Sequence, residues 1–270
     1  MSQSSTYAAN DGAAYEGFIG RWSRRVAERI SGAAEPLPAG PLLDVGCGTG
    51  SMALALAERY PERDVIGVDV AEDYLRFARE RADAGNVQFM RQNACTLDLE
   101  SDRFAASFAL IVLNFVAEPE AAVAEMRRVT KPGGTVVASA WDFRGGLVYQ
   151  RLLWDSAAGI DPEAAALRDR IFSSPLALPD GMPRLLEGAG LESVQRSWVT
   201  IRMDFLNFDD YWQPLLGGQG PVGGYVAGLE PALRERVCAA VRSAYLSGDE
   251  DGPRSLTATA WVVTGRVPPG

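Results

Sequence analysis

The run Asp44-Val45-Gly46-Cys47-Gly48-Thr49-Gly50 sets three glycines at alternate positions directly after a short apolar stretch. Glycine reaches backbone angles closed to other residues and lets a bound molecule approach the main chain. A strand that enters such a turn and leaves it as a helix is suited to holding a nucleoside cofactor. The dinucleotide pattern is GxGxxG; here the third glycine comes one residue early and Ser51 stands in its place. Asp69 ends the next apolar run, nineteen residues after Gly50. A carboxylate there can accept hydrogen bonds from both ribose hydroxyls, a device that NAD sites also use. Asp69 therefore indicates a nucleoside without saying which one, and it would also serve as an N-cap for the helix that follows.

Other chemistries are removed by what the chain lacks. It contains no histidine, which excludes a Ser-His-Asp triad, a Cys-His pair and a histidine base. Cys47, Cys95 and Cys238 are too scattered for a zinc site, so no metal is expected. They also suggest a reducing compartment without disulfides. The N-terminus lacks a basic region followed by an apolar run, so no signal peptide and a cytoplasmic location are expected. No stretch approaches the roughly 20 apolar residues of a membrane helix, so no membrane insertion is expected. The net charge is −9, with 35 acidic against 26 basic residues. Such a surface repels phosphate backbones and makes nucleic acid an unexpected partner. The doublets Arg24-Arg25 and Arg127-Arg128 read as solvated helix faces.

The elements that must position these residues alternate between Pro41 and Trp141. Strands are expected at 42–45, 65–68, 87–90, 108–113 and 135–140, with helices at 51–60, 71–84 and 119–129 between them. Short runs of β-branched and apolar residues between helices describe strands buried on both faces, the pattern of a doubly wound parallel sheet. A polar lead and an amphipathic helix from about Ala13 to Ile30 precede this core. After it come a mostly helical stretch (145–174), a helix at 182–189, a strand at 194–203, a helix at 231–247 and a strand at 256–267. The fold expected is α/β: a Rossmann-like seven-stranded sheet, mostly parallel with an antiparallel edge, plus helical lid insertions. Residues 1–40 would form an N-terminal helical lid, 41–142 the cofactor-binding core, and 143–270 lid insertions and the remaining edge strands. Edge and lid surfaces look alike in the sequence, which leaves oligomeric state open.

Leu42 to Gly50, Val68-Asp69, Asn93-Ala94 and Arg128-Val129-Thr130-Lys131-Pro132-Gly133-Gly134 together resemble the class I S-adenosylmethionine-dependent methyltransferases, in family order and spacing. The resemblance covers about Pro41 to Trp141, and its nearest flavour is the small-molecule branch acting on quinones, sterols and natural products. It implies S-adenosylmethionine as cofactor and S-adenosylhomocysteine as product. It also implies that Asp44, Gly46, Cys47, Gly48 and Gly50 form the methionine side of the site and that Asp69 holds the ribose. Val70, Asn93 and Ala94 would meet the adenine, and Leu113 and Asn114 would lie near the sulfonium. Asn93 stands where the family usually has Asp, and Phe108-Ala109 where it often has Phe-Asp. Arg21, on the N-terminal helix, would supply a cation for the cofactor's carboxylate.

Substrates of open α/β sheets bind beyond the carboxyl ends of the strands. That puts Asn114, Phe115, Trp141 and Asp142 at the rim. The aromatic and amide-rich segment Asp210, Tyr211, Trp212, Gln213, followed by Gly217 to Pro221, is the candidate acceptor loop, or equally a lid packing on its own core. Methyl transfer depends on alignment and desolvation, so a general base is optional and the absent histidine is no obstacle. Candidates for a base are Asp142, Tyr149, Asp155, Asp210 and Tyr211. The small-molecule methyl acceptor itself, and whether O, N or C receives the methyl group, is not encoded in any motif. Two alternatives stand beside this reading: a methyltransferase-fold protein that only binds the cofactor or catalyses another reaction, and an NAD(P)-dependent oxidoreductase.

Overall fold

The four residues of β1 (Leu42–Val45) are all buried, because this strand lies in the middle of a seven-stranded sheet. A computed structural model describes residues 12–83 and 85–270, so the polar lead through residue 11 lies outside the described residues. The remaining strands are β2 (Val65–Asp69), β3 (Val87–Arg91), β4 (Phe104–Leu110), β5 (Thr130–Trp141), β6 (Glu192–Phe205) and β7 (Arg254–Arg266), in spatial order 3-2-1-4-5-7-6. β1 to β5 are parallel, whereas β7 runs antiparallel to both β5 and β6. The order reverses at β1, which separates β2 from β4, and the ends of these strands open the crevice where ligands of such sheets bind.

Alternation along the strands sorts their side chains between two layers. Leu43, Val45, Ile66 and Val68 face one cluster, while Leu42 and Val65 face the other. The first layer is covered by α5 (Pro119–Val129) and α8 (Gly181–Gly188). The second is covered by α2 (Arg21–Ile30), α3 (Ser51–Arg59) and α4 (Glu72–Glu80). α1 (Gly12–Tyr15) and a wider turn at Glu16–Gly20 lead directly into α2, so the expected N-terminal helix is one helical run of uneven pitch.

The helices beyond β5, other than α8, build a cap on the second layer. α6 (Val148–Ala158) and α7 (Pro162–Phe172) pack together, α7 starting at an Asp161 cap with Pro162 in its first turn. α9 (Phe208–Trp212), α10 (Gly220–Gly228) and α11 (Pro231–Leu246) follow β6. Two of these correct the sequence reading, which treats 209–221 as loop. Asn207 caps α9 by accepting from the Asp210 amide at 2.9 Å, and the glycines of α10 are held helical by tertiary packing against intrinsic preference. β4 is also displaced: it ends at Leu110 rather than Leu113, because Ile111 adopts φ +54° and turns the chain. Leu113 to Phe115 form a single tight turn. Among the described residues, no helix is long and apolar enough to cross a membrane.

Trp154 of α6 is fully buried and its ring lies 5.4 Å from that of Tyr225 on α10. Trp154→Ala is expected to cost about 3–5 kcal/mol in urea unfolding. Trp198, 67% exposed on β6, should cost less than about 1 kcal/mol when changed to Ala.

Candidate active site

The turn after β1 is closed by a side chain from β2. Asp69 accepts from the Gly48 amide at 2.9 Å through Oδ2 and from the Ala71 amide at 2.8 Å through Oδ1. Its carboxylate thus links the glycine turn to the Ala71 amide just ahead of α4. The N-cap expected of Asp69 falls instead on Ala71, which makes no side-chain cap bond, and the carboxylate still has acceptor capacity for further donors. Burial raises its pKa, against the lowering by these backbone bonds. Gly46, Gly48 and Gly50 all have positive φ, at +68°, +52° and +89°. A Cβ on Gly46 would lie 2.3 Å from the Val112 side chain, so that glycine is required by packing as well as by angle. A Cβ on Gly48 would meet only Tyr74, at 3.9 Å, because its open side faces a cavity.

That cavity has a volume of about 780 Å³. Gly46, Gly48, Asp69, Val70, Asn93, Ala94, Asn114, Phe115 and Trp141 line it, so nine of the sequence-predicted residues meet in one place. Further wall is supplied by Tyr15, Phe18, Ile19 and Ser23 from the N-terminal run, by Phe143 and Gln150, and by Leu167, Arg170, Ile171 and Ser174 on and after α7. Gly220, Pro221 and Val222 close it from α10. Tyr15, Ile19 and Ser23 recur every fourth residue, a helical signal present in the sequence that points one face into the cavity. Burial pushes the Tyr15 phenol up to about 12, so it remains a neutral hydroxyl there.

Several predicted residues lie elsewhere. Arg21 is two positions from both Ile19 and Ser23, hence on the opposite helix face. Its guanidinium donates to Asp210 Oδ1 at 2.9 Å and to the Asp210 carbonyl at 3.2 Å, and lies 4.5 Å above the Trp22 ring. It does not line the cavity. Asp210, Tyr211, Trp212 and Gln213 do not line it either. Tyr211 is fully buried, donates its hydroxyl to the Tyr149 carbonyl at 2.8 Å, and packs among Tyr149, Phe205, Phe208 and Tyr245. This aromatic segment is the core of the cap. Leu113 turns into the layer below α5, fully buried. Cys47 is buried away from the cavity and burial raises its thiol well above the usual value, which makes it a packing residue. Gly50 faces Phe89 and Ala78. The Asn93 carbonyl oxygen, the atom suited to an adenine amino group, accepts from the Cys95 amide at 3.0 Å.

A contact network invisible in the motifs holds the N-terminal run over the turn. Glu16 Oε1 accepts from Thr49 Oγ1 at 2.5 Å and from Arg81 Nη1 at 3.0 Å, and Arg81 also donates to the Thr49 carbonyl at 3.0 Å. Among the described residues, no group of three acidic or cysteine side chains is arranged to hold a metal ion.

With this geometry established, comparison with known proteins defines the class. Residues 42–134 match the family described as a methyltransferase domain. That match, over about a third of the chain, supports a methyltransferase domain of the class I S-adenosylmethionine-dependent kind there, in preference to the dinucleotide alternative. Among individual proteins, it is similar to a demethylmenaquinone methyltransferase of Thermus thermophilus, at 38% identity over 43% of this chain and 52% of the relative. It is also similar to the O-methyltransferase cnsE of Penicillium expansum, at 28% identity over 64% of this chain and 58% of that protein. The chain thus spans about half the length of these curated relatives. The crystal structure of the YcgJ protein from Bacillus subtilis shares the fold, with 18% identity, a TM-score of 0.56, and coverage of 93% of this chain and 100% of that one.

Asp44 remains to be placed. It is fully buried beneath the turn, where Oδ2 accepts from the Ala53 amide at 2.9 Å and Oδ1 has no partner. It supports the turn from below and does not line the cavity. Desolvation pushes its carboxyl up to about 8, against about 3.9 in an unfolded chain. The folded state therefore holds the proton more tightly. The resulting stabilisation is complete below about pH 4 and is lost as pH rises toward 8. Asn at this position keeps an oxygen for Ala53 and cannot ionise. Urea unfolding at pH 5.5 and pH 8 should show the wild type losing stability relative to Asp44→Asn. A constant difference would mean that Asp44 stays ionised throughout.

Proposed function

We propose that the protein transfers a methyl group from S-adenosylmethionine to a small, apolar or aromatic metabolite. The observation that carries this reading is one continuous cavity that has the Asp69-closed glycine turn at one end and apolar walls at the other. Its 780 Å³ lies in the upper part of the range for small-molecule sites, roughly 300–1,000 Å³, leaving room for a cofactor and an acceptor together. The names of the relatives, which act on quinone precursors or are O-methyltransferases, are in keeping with such an acceptor.

The residues present fit the cofactor. Gly46 and Gly48 offer backbone without side chains, and Asp69 would take the ribose hydroxyls on its remaining lone pairs. Val70 and Ala94 would flank the adenine, with Asn93 at its edge through the amide nitrogen. The Asn114 carbonyl oxygen is buried without a partner, which suits a donor on the methionine part. When bound, the cofactor supplies an electrophilic methyl group on a positively charged sulfur. The chain's own contribution is to align the acceptor against it and to exclude water. The N-terminal run and the segments after β5 would serve as the lid that does so.

In this reading no side chain acts as an indispensable base. Asp142 is used locally, accepting from the Arg144 and Gly145 amides at 3.1 and 3.2 Å. Neither it nor Tyr149, Asp155, Asp210 or Tyr211 lines the cavity. Labelled-methyl screening of metabolite extracts would identify the acceptor, and formation of S-adenosylhomocysteine would separate a transferase from a protein that only binds. Calorimetry on Asp69→Ala should show a tenfold to hundredfold loss of S-adenosylhomocysteine affinity, from charge-assisted bonds worth roughly 1.5–3 kcal/mol each; an unchanged affinity would rule out the ribose role. Once an acceptor is known, Asn or Phe variants of the five residues should each keep single-turnover rates within about tenfold. A loss of about 10²- to 10⁴-fold with both ligands bound normally would identify a base.

A further inference from the structure

The acceptor end of the cavity carries a cation with no counter-charge. Leu167, Arg170, Ile171 and Ser174 follow i, i+3, i+4, i+7 spacing, so one stripe of α7 and its exit faces the cavity. Among the described residues, the other charged side chains of the wall are Asp69 and Arg91, both at the nucleoside end, where Arg91 donates Nε to the Val70 carbonyl at 3.1 Å. The neighbouring arginines of this region are neutralised: Arg151 and Arg168 both pair with Asp155, at 2.7 and 3.4 Å. Among the described residues, Arg170 has no carboxylate within ion-pair distance, and its i±3 and i±4 neighbours are Ala166, Leu167, Ser173 and Ser174, none of which can supply one. In a chain of net charge −9 the acceptor end is locally positive. A guanidinium presents a planar fork of donors matched to a carboxylate or a delocalised oxyanion.

We propose that the methyl acceptor carries an anionic group that Arg170 holds at the cavity rim, with its apolar body against Leu167 and Ile171. This rests on the methyltransferase reading of the cavity.

Two isosteric probes test it, 2-naphthoate and the neutral 2-naphthamide, titrated by calorimetry into the full chain with and without S-adenosylhomocysteine. The wild type should bind the naphthoate about tenfold more tightly than the amide, a gain kept modest because Arg170 is exposed. Arg170→Ala should abolish that preference and leave S-adenosylhomocysteine affinity unchanged, while Arg170→Lys should keep part of it. Equal binding of both probes, no binding of either at millimolar concentration, or a preference that survives Arg170→Ala would overturn the proposal. If S-adenosylhomocysteine binds while the preference is absent, only the anionic acceptor falls. If the preference is present and S-adenosylhomocysteine does not bind, the cofactor reading falls instead.

Discussion

The site depends on how closely backbone packs at the point where β1 leaves the sheet. A side chain at residue 46 would overlap Val112, and one at residue 67 would come within 2.7 Å of the Phe89 ring. Hydrogen is the only substituent that lets the turn sit between β2 and the chain leaving β4. Once the turn is seated there, the Gly48 amide reaches the Asp69 carboxylate, adding a side-chain tie to those of the Gly46 and Cys47 amides, which donate to the Val68 carbonyl. Everything else about the cavity follows from that seat: its floor is the turn, and one wall is the segment after β4 that Ile111 redirects.

The cap is a separate piece of physics. Its centre is an aromatic cluster in which Tyr149, Phe205, Phe208, Tyr211 and Tyr245 contact one another at centroid separations between 5.1 and 6.4 Å. Edge-on and offset contacts of this kind add to ordinary apolar burial. The Arg21–Asp210 pair joins the cluster to the N-terminal helix, and the Glu16–Thr49–Arg81 contacts join that helix to the glycine turn. Cap, N-terminal run and glycine turn are therefore linked in series. The side chains carrying these links face away from the cavity, which leaves its walls free for ligands.

Charge is distributed with a similar division. Most arginines of the described surface are spent in pairs with the abundant acidic residues, several of them within a single helix, where such pairs contribute little to stability. The two arginines that line the cavity are not spent in this way. Burial also keeps the phenols of Tyr149 and Tyr211 from ionising, with Tyr149 raised well above its ordinary value. They act as apolar bodies with hydroxyls, and not as acids or bases.

Read alone, the sequence determined the parallel core, the antiparallel edge strands and the glycine turn with Asp69 at the end of the next strand, because these rest on local rules. Two-residue alternation, apolar runs between helices and glycine at positive φ leave marks within a few positions of where they act. The strand-end rule for parallel sheets also located Asn114 and Trp141, while Val70, Asn93 and Ala94 came from the resemblance to the methyltransferase family. The tertiary structure alone decided which face each cap residue presents. Arg21 looks like a cofactor ligand until the helix phase set by Tyr15, Ile19 and Ser23 turns it outward to Asp210. The segment from Asp210 to Gln213 has the composition of a binding loop, yet Asn207 starts a helix there and burial draws its rings into the cap. Leu167, Arg170 and Ile171 carry no motif and become part of the site only because α7 folds back across the sheet's open end. Contacts between residues far apart in the chain made these choices; of them, only the phase of the N-terminal helix leaves a periodicity in the sequence, and that periodicity does not say which face meets the cavity.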